Sequence, residues 1–195
     1  MRKNHAQFSI RVYAFLPTTL EIQVDAIDKE SFAWVNALTP KEFAVHKDKF
    51  CSHKDRIGCI VVLEKNDVIG AATLLRRVVK FDGVSLILGG IGGVCTRQDK
   101  RKNGVGTLLV KKAMEELRRA GSDIAYLCTD VTKEWMVGFY EKVGFVRLKY
   151  GHIYIGKSAT RYTEFDGMIA PICSADFFQR IMKSEKVLNI GRGNW

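Results

Sequence analysis

Hydrophobic and polar positions change their spacing along the chain, and each spacing predicts a type of element. Apolar residues alternate with polar ones over 8–13, which is typical of a strand. They recur at every third or fourth position over 18–38, which predicts a helix, and the charged stretch 41–56 indicates an exposed loop or short helix. Three apolar runs separated by short turns then predict an antiparallel meander. These runs are residues 58–65, 68–80 and 84–96.

The second half of the chain changes to an alternation of helices and strands. Residues 104–120 have an apolar and a charged face, which predicts an amphipathic helix, and Gly121 follows as its C-terminal stop. The short apolar run 124–128 is typical of a buried strand. Because a helix crosses over between them, strands 84–96 and 124–128 are expected to be parallel. The remaining predicted elements are a helix over 133–143, strands over 145–150 and 153–155, and a helical segment over 174–183.

The segment 101–106, Arg-Lys-Asn-Gly-Val-Gly, joins the third apolar run to the amphipathic helix. Backbone N–H groups at the start of a helix have no intrahelical partner, and with the helix dipole they form an anion site. Gly104 and Gly106 let a phosphate approach the backbone closely, and Lys100 adds positive charge. The segment therefore predicts a site for a phosphate-bearing ligand, with a plain strand-to-helix turn as the alternative.

Three motifs, in this order, resemble those of the GCN5-related N-acetyltransferases, the GNAT superfamily. The strand 93–96 is followed by the loop 101–106, which fits the family's Arg/Gln-x-x-Gly-x-Gly/Ala pattern for binding pyrophosphate. The helix that begins at Thr107 is the second motif. The third is 139–145, which is close to the family's Leu-Tyr-Glu-Lys-x-Gly-Phe. The resemblance covers residues 57–150.

The resemblance implies an α/β (α+β) fold, with a mixed, mostly antiparallel sheet, one splayed pair of parallel strands, and flanking helices. It implies an acyltransferase that moves an acetyl group from acetyl-CoA to a primary amine of a small molecule by direct attack. Tyr140 stands at the family's tyrosine position, where its hydroxyl can protonate the leaving thiolate; a simple core role is the alternative. The cofactor-binding residues implied by the resemblance are Val94, Cys95, Thr96, Arg101, Lys102, Asn103, Gly104, Val105, Gly106 and Thr107.

Two positions depart from the family pattern. Lys133 stands where many members have an asparagine that touches the CoA arm. Residues 91–94 read Ile-Gly-Gly-Val, where many members have a glutamate that recruits a basic water. Since no carboxylate occurs between Val84 and Arg97, the general base is left open between a backbone carbonyl, a water chain and a distant carboxylate.

The last residues of the sequence carry a narrower resemblance. Residues 189–195, Asn-Ile-Gly-Arg-Gly-Asn-Trp, are similar to the ending of the aminoglycoside 2′-N-acetyltransferase branch. By that resemblance Trp195 contacts the substrate through its carboxylate, and the acceptor is of the aminoglycoside type. A packed anchor or a ragged end is the alternative for Trp195. We expect a GNAT acetyltransferase domain over 1–165 and a C-terminal extension over 166–195 packed on the same domain.

Composition and charge narrow the partners. The chain of 195 residues has 31 Lys and Arg against 21 Asp and Glu, a formal net charge of +10. An anionic partner fits this charge, but no aromatic platform is interleaved with the basic residues, so we expect no nucleic acid. No apolar run reaches the length of a bilayer span, and no apolar signal segment follows the basic N-terminus. We therefore expect a cytoplasmic protein without a membrane partner, and a homodimer is left open.

Cysteine and histidine spacings give no sign of a metal centre. The histidines at 46 and 53 have no cysteine or acidic partner at a metal-binding spacing, so no metal site is expected. Cys95 and Cys128 are expected to face a cleft, but no histidine is near them in sequence, which favours core thiols over nucleophiles. The five cysteines, which contain no Cys-x-x-Cys pair and are expected to be free thiols, are residues 51, 59, 95, 128 and 173.

Three other functions stay open at this point. The loop and helix would also serve a peptide or protein N-acetyltransferase, a non-catalytic acyl-CoA-binding regulator, or an RNA-binding module in which the loop is vestigial. The sequence does not identify the acceptor amine or the oligomeric state.

Overall fold

Within residues 8–50 and 53–195, which the computed structural model describes, ten strands form a mixed seven-stranded sheet and a separate three-stranded sheet. The strands are β1 (Phe8–Tyr13), β2 (Arg56–Glu64), β3 (Asp67–Phe81), β4 (Val84–Thr96), β5 (Ile124–Cys128), β6 (Val146–Arg147), β7 (His152–Ile155), β8 (Arg161–Glu164), β9 (Gly167–Pro171) and β10 (Leu188–Arg192). The helices are α1 (Thr18–Ser31), α2 (Pro40–Lys49), α3 (Val105–Arg119), α4 (Glu134–Glu141) and α5 (Ala175–Lys183).

The large sheet has the order β1-β2-β3-β4-β5-β9-β6, and its one parallel pair is β4 with β5. The predicted strands 84–96 and 124–128 are these two strands, with the predicted bounds and orientation. All the other neighbours in this sheet run antiparallel. The predicted fold class, a mixed and mostly antiparallel sheet flanked by helices, is therefore confirmed.

Successive residues of the central strands face two different hydrophobic layers, as the alternation of a strand requires. In β3, Ala72 and Leu74 pack with α3, whereas Ala71 packs with α1. Leu109 and Leu117 of α3 are completely buried in the first layer. Because a buried leucine contributes about 1.5–3 kcal/mol, this apolar stripe holds α3, and the loop that precedes it, firmly against the sheet.

The helix predicted over 18–38 is shorter in the structure. It ends at Ser31, and Ala33–Ala37 forms a short 3-10 helix. Phe32, with φ −110° and ψ 25°, leaves helical geometry between the two. A run of Ser and aromatic residues has only moderate helix propensity, which is consistent with this break.

The charged stretch after this break contains a true helix, α2. Thr39 begins it with a reciprocal capping box, in which its hydroxyl accepts from the Glu42 amide (3.4 Å) and its own amide donates to the Glu42 carboxylate (2.8 Å). Pro40 occupies the first helical position, where its fixed φ and missing N–H cost nothing. Of the two alternatives predicted for 41–56, the short helix is thus correct over 41–49.

The strand predicted over 145–150 shrinks to the two residues of β6. The amide of Phe145 donates to the carbonyl of Tyr140 (3.1 Å) and so belongs to the end of α4. Gly151, with φ +69°, turns the chain away before the next strand. β6, one of the two edge strands of the large sheet, is therefore very short, which limits pairing of that edge with other chains.

Residues after 165 contribute to both sheets. Strand β9 lies between β5 and β6 in the large sheet, and β10 pairs in parallel with β7 in the small one. The division into 1–165 and 166–195 stays a prediction, but the later segment supplies an internal strand of the large sheet. In the part of the chain described here, no helix is long and apolar enough to cross a membrane.

Candidate active site

Strands β4 and β5 separate beside each other, which leaves a gap in the middle of the sheet. Their pairing runs from Leu88–Ile124 to Gly90–Tyr126 and then stops. At this point β4 has a bulge, because three steps from Gly92 to Cys95 face only two steps in β3. Gly93 adopts φ +55° in this bulge, a conformation that favours glycine. The bulge bends β4 just beyond the point where its pairing with β5 ends, which agrees with the splayed parallel pair that the resemblance implies.

Residues 94–96, which the resemblance implies bind the cofactor, begin within the bulge and continue to the end of β4. Cys95 and Thr96 pair with β3, so the opposite edge of β4 faces the gap. The Cys95 side chain itself is buried against α1, and burial raises the pKa of its thiol to about 12. Any contact that Cys95 makes with a ligand in the gap is therefore through its main chain.

The predicted anion loop adopts the backbone geometry that its glycines suggested. Gly104 has φ +82° and ψ −1°, and Lys102 also has a positive φ of 65°. Helix α3 starts at Val105, and the first intrahelical bond runs from the Leu108 amide to the Gly104 carbonyl (2.9 Å). A Cβ atom built on Gly106 would lie only 3.3 Å from the Phe139 ring. The loop therefore presents the amides of 105–107 at a helix start packed closely against α4.

The basic residues of the loop are partly paired within the protein. Arg101 donates from Nε to the carbonyl of Thr96 (3.1 Å), and its guanidinium lies 3.7 Å from the Glu30 carboxylate. Lys100 pairs with Glu64 (2.5 Å). These contacts fix the loop against the end of β4, so Arg101 has a structural role there in addition to its charge.

Tyr140 lies on α4, on the same side of the sheet as the loop. Its ring contacts those of Phe139 and Phe145 edge-on, with centroids 4.8 Å and 6.1 Å apart. The side chain is 7% exposed, and burial raises the pKa of its hydroxyl to about 12. Tyr140 thus belongs to the core and also keeps its proton at neutral pH, which is the state that a general acid needs.

Trp195 packs on the other face of β4. A Cβ atom on Gly90 would overlap the Trp195 ring, and one on Gly92 would lie 3.7 Å from its main-chain carbonyl carbon. The Arg77 guanidinium stacks 4.1 Å above the ring, and the ring of Tyr126 is 5.9 Å away. Gly90 is therefore explained by the close approach of Trp195, which reaches the edge of the gap, whereas the nearest neighbour of a Cβ atom on Gly92 is the Leu75 side chain at 3.3 Å.

Asp28 of α1 brings a carboxylate to the bulge, which the sequence analysis missed. Its Oδ1 lies 3.9 Å from a Cβ atom built on Gly93, at the strand position that lacks a carboxylate of its own. Burial, together with the neighbouring Asp25, raises the pKa of Asp28. Asp28 lies four residues after Val24 and therefore on the same packed face of α1. An acidic residue on such a face is unusual, and this was the signal for Asp28 in the sequence.

A second polar cluster lies at the end of β5. His152 Nε2 is 3.9 Å from Cys128 Sγ and 3.7 Å from Asp166 Oδ1. Burial raises the pKa of Cys128 and lowers the pKa of His152 to about 4, so at neutral pH the imidazole is neutral. The sequence analysis found no histidine near Cys128, because His152 lies 24 residues later on β7 of the small sheet, and the two meet only through tertiary packing.

Comparison with known proteins agrees with this geometry. The Acetyltransferase (GNAT) domain family matches residues 16–147. Ribosomal-protein-S18-alanine N-acetyltransferase from Escherichia coli superposes with a TM-score of 0.55 at 16% identity, covering 87% of this chain and 96% of that one. Escherichia coli ElaA gives 0.56 at 17% identity, with 84% and 99% covered. An aminoglycoside acetyltransferase from an uncultured soil metagenomic sample gives 0.53 at 17% identity, with 69% and 86% covered.

These solved structures share the fold of this chain, and at such identities they say nothing about its acceptor. No curated protein matches the sequence. The family match spans well over half of the 195 residues and includes the bulge, the glycine loop and the Tyr140 helix. The chain therefore belongs to the GNAT acetyltransferases and is an acyltransferase.

Proposed function

We propose that this enzyme transfers the acetyl group of acetyl-CoA to a primary amine of a small, positively charged molecule in the gap between β4 and β5. The observation that carries the proposal is the bulge at 92–95, which ends the pairing of the two strands next to the glycine loop. A thioester placed there can be reached from the face that carries Asp28 and Trp195. Holding both reactants in such a gap supplies much of the rate enhancement that direct attack requires.

The residues around the loop fit the donor. Amides at the start of α3, with the positive end of its dipole, suit a pyrophosphate, and Lys102 and Asn103 are exposed beside them. Gly104 provides the left-handed turn, and the absence of a side chain on Gly106 lets the helix start pack closely against the Phe139 ring. Acetyl-CoA supplies the acetyl group as an activated thioester. In this proposal the main chain of 94–96 holds the pantetheine arm.

Asp28 and Tyr140 divide the proton transfers in the proposed mechanism. Asp28 accepts a proton from the acceptor ammonium, directly or through one water, because only a neutral amine can attack the thioester. Its raised pKa makes it a stronger base than an exposed aspartate. Tyr140 donates a proton to the departing thiolate, and the second proton that the attacking nitrogen loses as the amide forms returns the phenolate to its neutral state through solvent. The two residues lie in different layers, Asp28 beside the bulge and Tyr140 in the α3–α4 layer.

Charge near the bulge supports a cationic acceptor. Although the chain as a whole is basic, Asp25 and Asp28 bring two neighbouring carboxylates to this side of α1. Trp195 adds an aromatic surface next to Gly90, on which a cation can stack. An aminoglycoside-type amine combines several ammonium groups with a bulky ring, so we propose it as the acceptor class and Trp195 as a residue that contacts it.

The first test measures binding and turnover separately. Acetyl-CoA at about 100 times its Kd is expected to stabilise the enzyme by about 2.7 kcal/mol, which raises Tm by about 5–10 °C for a chain of this size. An aminoglycoside and a polyamine are then expected to release free thiol from acetyl-CoA, and a peptide with a free N-terminus is not. The absence of a Tm shift would contradict donor binding, whereas turnover with the peptide alone would contradict the proposed acceptor.

The second test is Tyr140→Phe. Loss of the hydroxyl is expected to lower kcat by about 100-fold, because the thiolate then leaves without a positioned proton donor. The Tm shift caused by acetyl-CoA should stay within about 1 °C of wild type, since the ring and its packing are kept. Tyr150→Phe removes a hydroxyl outside the site and serves as the matched control. Equal rates in the two variants would exclude Tyr140 as the acid.

A further inference from the structure

The cluster at the end of β5 gathers three different donor atoms from three separate segments. Cys128 is the last residue of β5, His152 is the first residue of β7, and Asp166 directly precedes β9. Cys128 Sγ, His152 Nε2 and a carboxylate oxygen of Asp166 all lie within 4.8 Å of one another. The pairing of Gly167 with Cys128 in adjacent strands fixes two of the three backbones. A thiol, an imidazole and a carboxylate thus converge on one point.

The geometry does not match that of a nucleophilic thiol. In a catalytic triad the histidine uses one ring nitrogen for the nucleophile and the other for the carboxylate that orients it. Here the sulfur and the carboxylates of Asp166 and Glu164 all face Nε2, at 3.7–4.0 Å. The buried Nδ1 has no hydrogen-bond partner among the described residues. Three donors on one side of a ring are the arrangement of a metal site.

Unsatisfied polar atoms point in the same direction. The side chain of His152 is fully buried, and Asp166 Oδ1 is a buried oxygen without a hydrogen-bond partner in the described part of the chain. Its distance to His152 Nε2, 3.7 Å, is too long for a hydrogen bond. Buried polar atoms normally have partners, because leaving one without a partner costs about 1–3 kcal/mol. A cation between Asp166 Oδ1 and His152 Nε2 would give this oxygen a partner.

We propose that Cys128 Sγ, His152 Nε2 and Asp166 Oδ1 bind a zinc ion. Zinc takes mixed sulfur, nitrogen and oxygen ligands in tetrahedral sites, with bonds of about 2.3, 2.0 and 2.0 Å. Those bonds place the ligand atoms about 3.3–3.6 Å apart, within a few tenths of an ångström of the 3.9 Å and 3.7 Å that separate His152 Nε2 from Cys128 Sγ and Asp166 Oδ1. On binding, the thiol gives its proton to solvent and coordinates as the thiolate.

The site has a clear structural consequence. Asn194 Oδ1 lies beside the sulfur but already accepts from Cys128 Sγ (3.0 Å), Tyr126 Oη (3.2 Å) and the Trp195 amide (3.0 Å), so it is not counted among the ligands. Bound zinc would join β5 and β9 of the large sheet to β7 of the small one. The proposal does not depend on acetyl transfer, since the cluster is separate from the glycine loop and from Asp28.

The test measures metal content and cobalt spectra on the full chain. After equilibration with zinc sulfate and gel filtration, elemental analysis is expected to find one zinc per chain. Cobalt chloride is expected to produce a thiolate-to-cobalt charge-transfer band. Because changes outside the ligands already reduce affinity about 10–100-fold, Cys128→Ser is expected to weaken binding by about 100-fold or more and to abolish the band. Cys173→Ser, which removes an exposed thiol elsewhere, should leave the zinc affinity and the cobalt band unchanged.

A second variant shows whether a loss of zinc comes from the loss of a ligand or from misfolding. Asp166→Asn keeps the size of the side chain and should also lose zinc, while the far-UV circular dichroism shows that it is folded. Substoichiometric zinc in wild type, or equal zinc in wild type, Cys128→Ser and Asp166→Asn, would overturn the proposal. Neither result would bear on acetyl-CoA binding, because the Tm shift caused by acetyl-CoA is measured independently.

Discussion

Replacing Asp28 by asparagine is expected to lower kcat by about 1,000-fold at saturating acetyl-CoA, measured as free thiol released with the best amine. Asparagine keeps the shape and the packing of α1 but cannot accept a proton. Asp28 is the carboxylate 3.9 Å from the Cβ position of Gly93 in the bulge. The loss should therefore appear in kcat, whereas the Tm shift caused by acetyl-CoA should not change.

The pH dependence of the rate gives a second test of Asp28 as the base. The pKa of Asp28 is raised, and only the ionised form acts as a base, so the wild-type rate falls as pH decreases through that raised pKa. This step should be absent from the profile of Asp28→Asn. A carboxyl with a raised pKa also destabilises the folded state once it is ionised, above its ordinary pKa. The variant should thus have an unchanged or higher Tm.

Asp25→Asn is the matched control, because Asp25 is one helical turn away, is exposed and neighbours the same carboxylate. It is expected to lower kcat by less than about threefold. A rate for Asp28→Asn within threefold of wild type would exclude Asp28 as the base.

Replacing Arg77 by alanine is expected to lower the free energy of unfolding by about 3 kcal/mol. The guanidinium donates to the carbonyls of Ile190 (2.6 Å) and Gly193 (3.0 Å) and pairs with Asp55 (2.5 Å). It also stacks on Trp195. The Arg77 side chain is only 8% exposed. Its removal therefore takes a hydrogen-bond or ion-pair partner from two carbonyl groups and a carboxylate where little water can replace it. Urea unfolding with unchanged m would measure the loss.

The neighbouring Arg76→Ala makes the same change in charge on the opposite face of β3. Arg76 donates from Nε to the carbonyl of Ala120 (3.1 Å), and its loss should lower the free energy of unfolding by about 1 kcal/mol or less. Equal losses in the two variants would mean that the Arg77 contacts contribute no more than its charge. In Arg77→Ala the tryptophan fluorescence should also shift to longer wavelength as Trp195 loses its cover.

Much of the fold was predictable from local patterns. Strands β4 and β5 and the helix between them have strong periodicity, and the crossover rule made them parallel. The position of β9 was not predictable, because a five-residue strand carries no information about which neighbours it will join. The break at Phe32 is equally weak in sequence, since it follows from small differences in helix propensity.

The candidate site likewise has parts that the sequence predicted and parts that it did not. The glycine loop and Tyr140 occur at motif spacings and were predicted from the sequence. Asp28 lies more than 60 residues before the bulge that it approaches, and Cys128 is separated from His152 by α4 and β6. Contacts of this kind arise from sheet order and helix packing, so spacing alone does not reveal them.

The insertion of β9 between β5 and β6 also affects how the chain is made. While the ribosome has released only the residues up to β8, β5 is already present without its antiparallel neighbour. Its open edge and the apolar residues beneath it are then exposed, which is the condition that favours wrong pairing and recruits chaperones. Closure of the sheet is therefore delayed until β9 has been synthesised, although the loop 101–106 and the Tyr140 helix have been complete for some time.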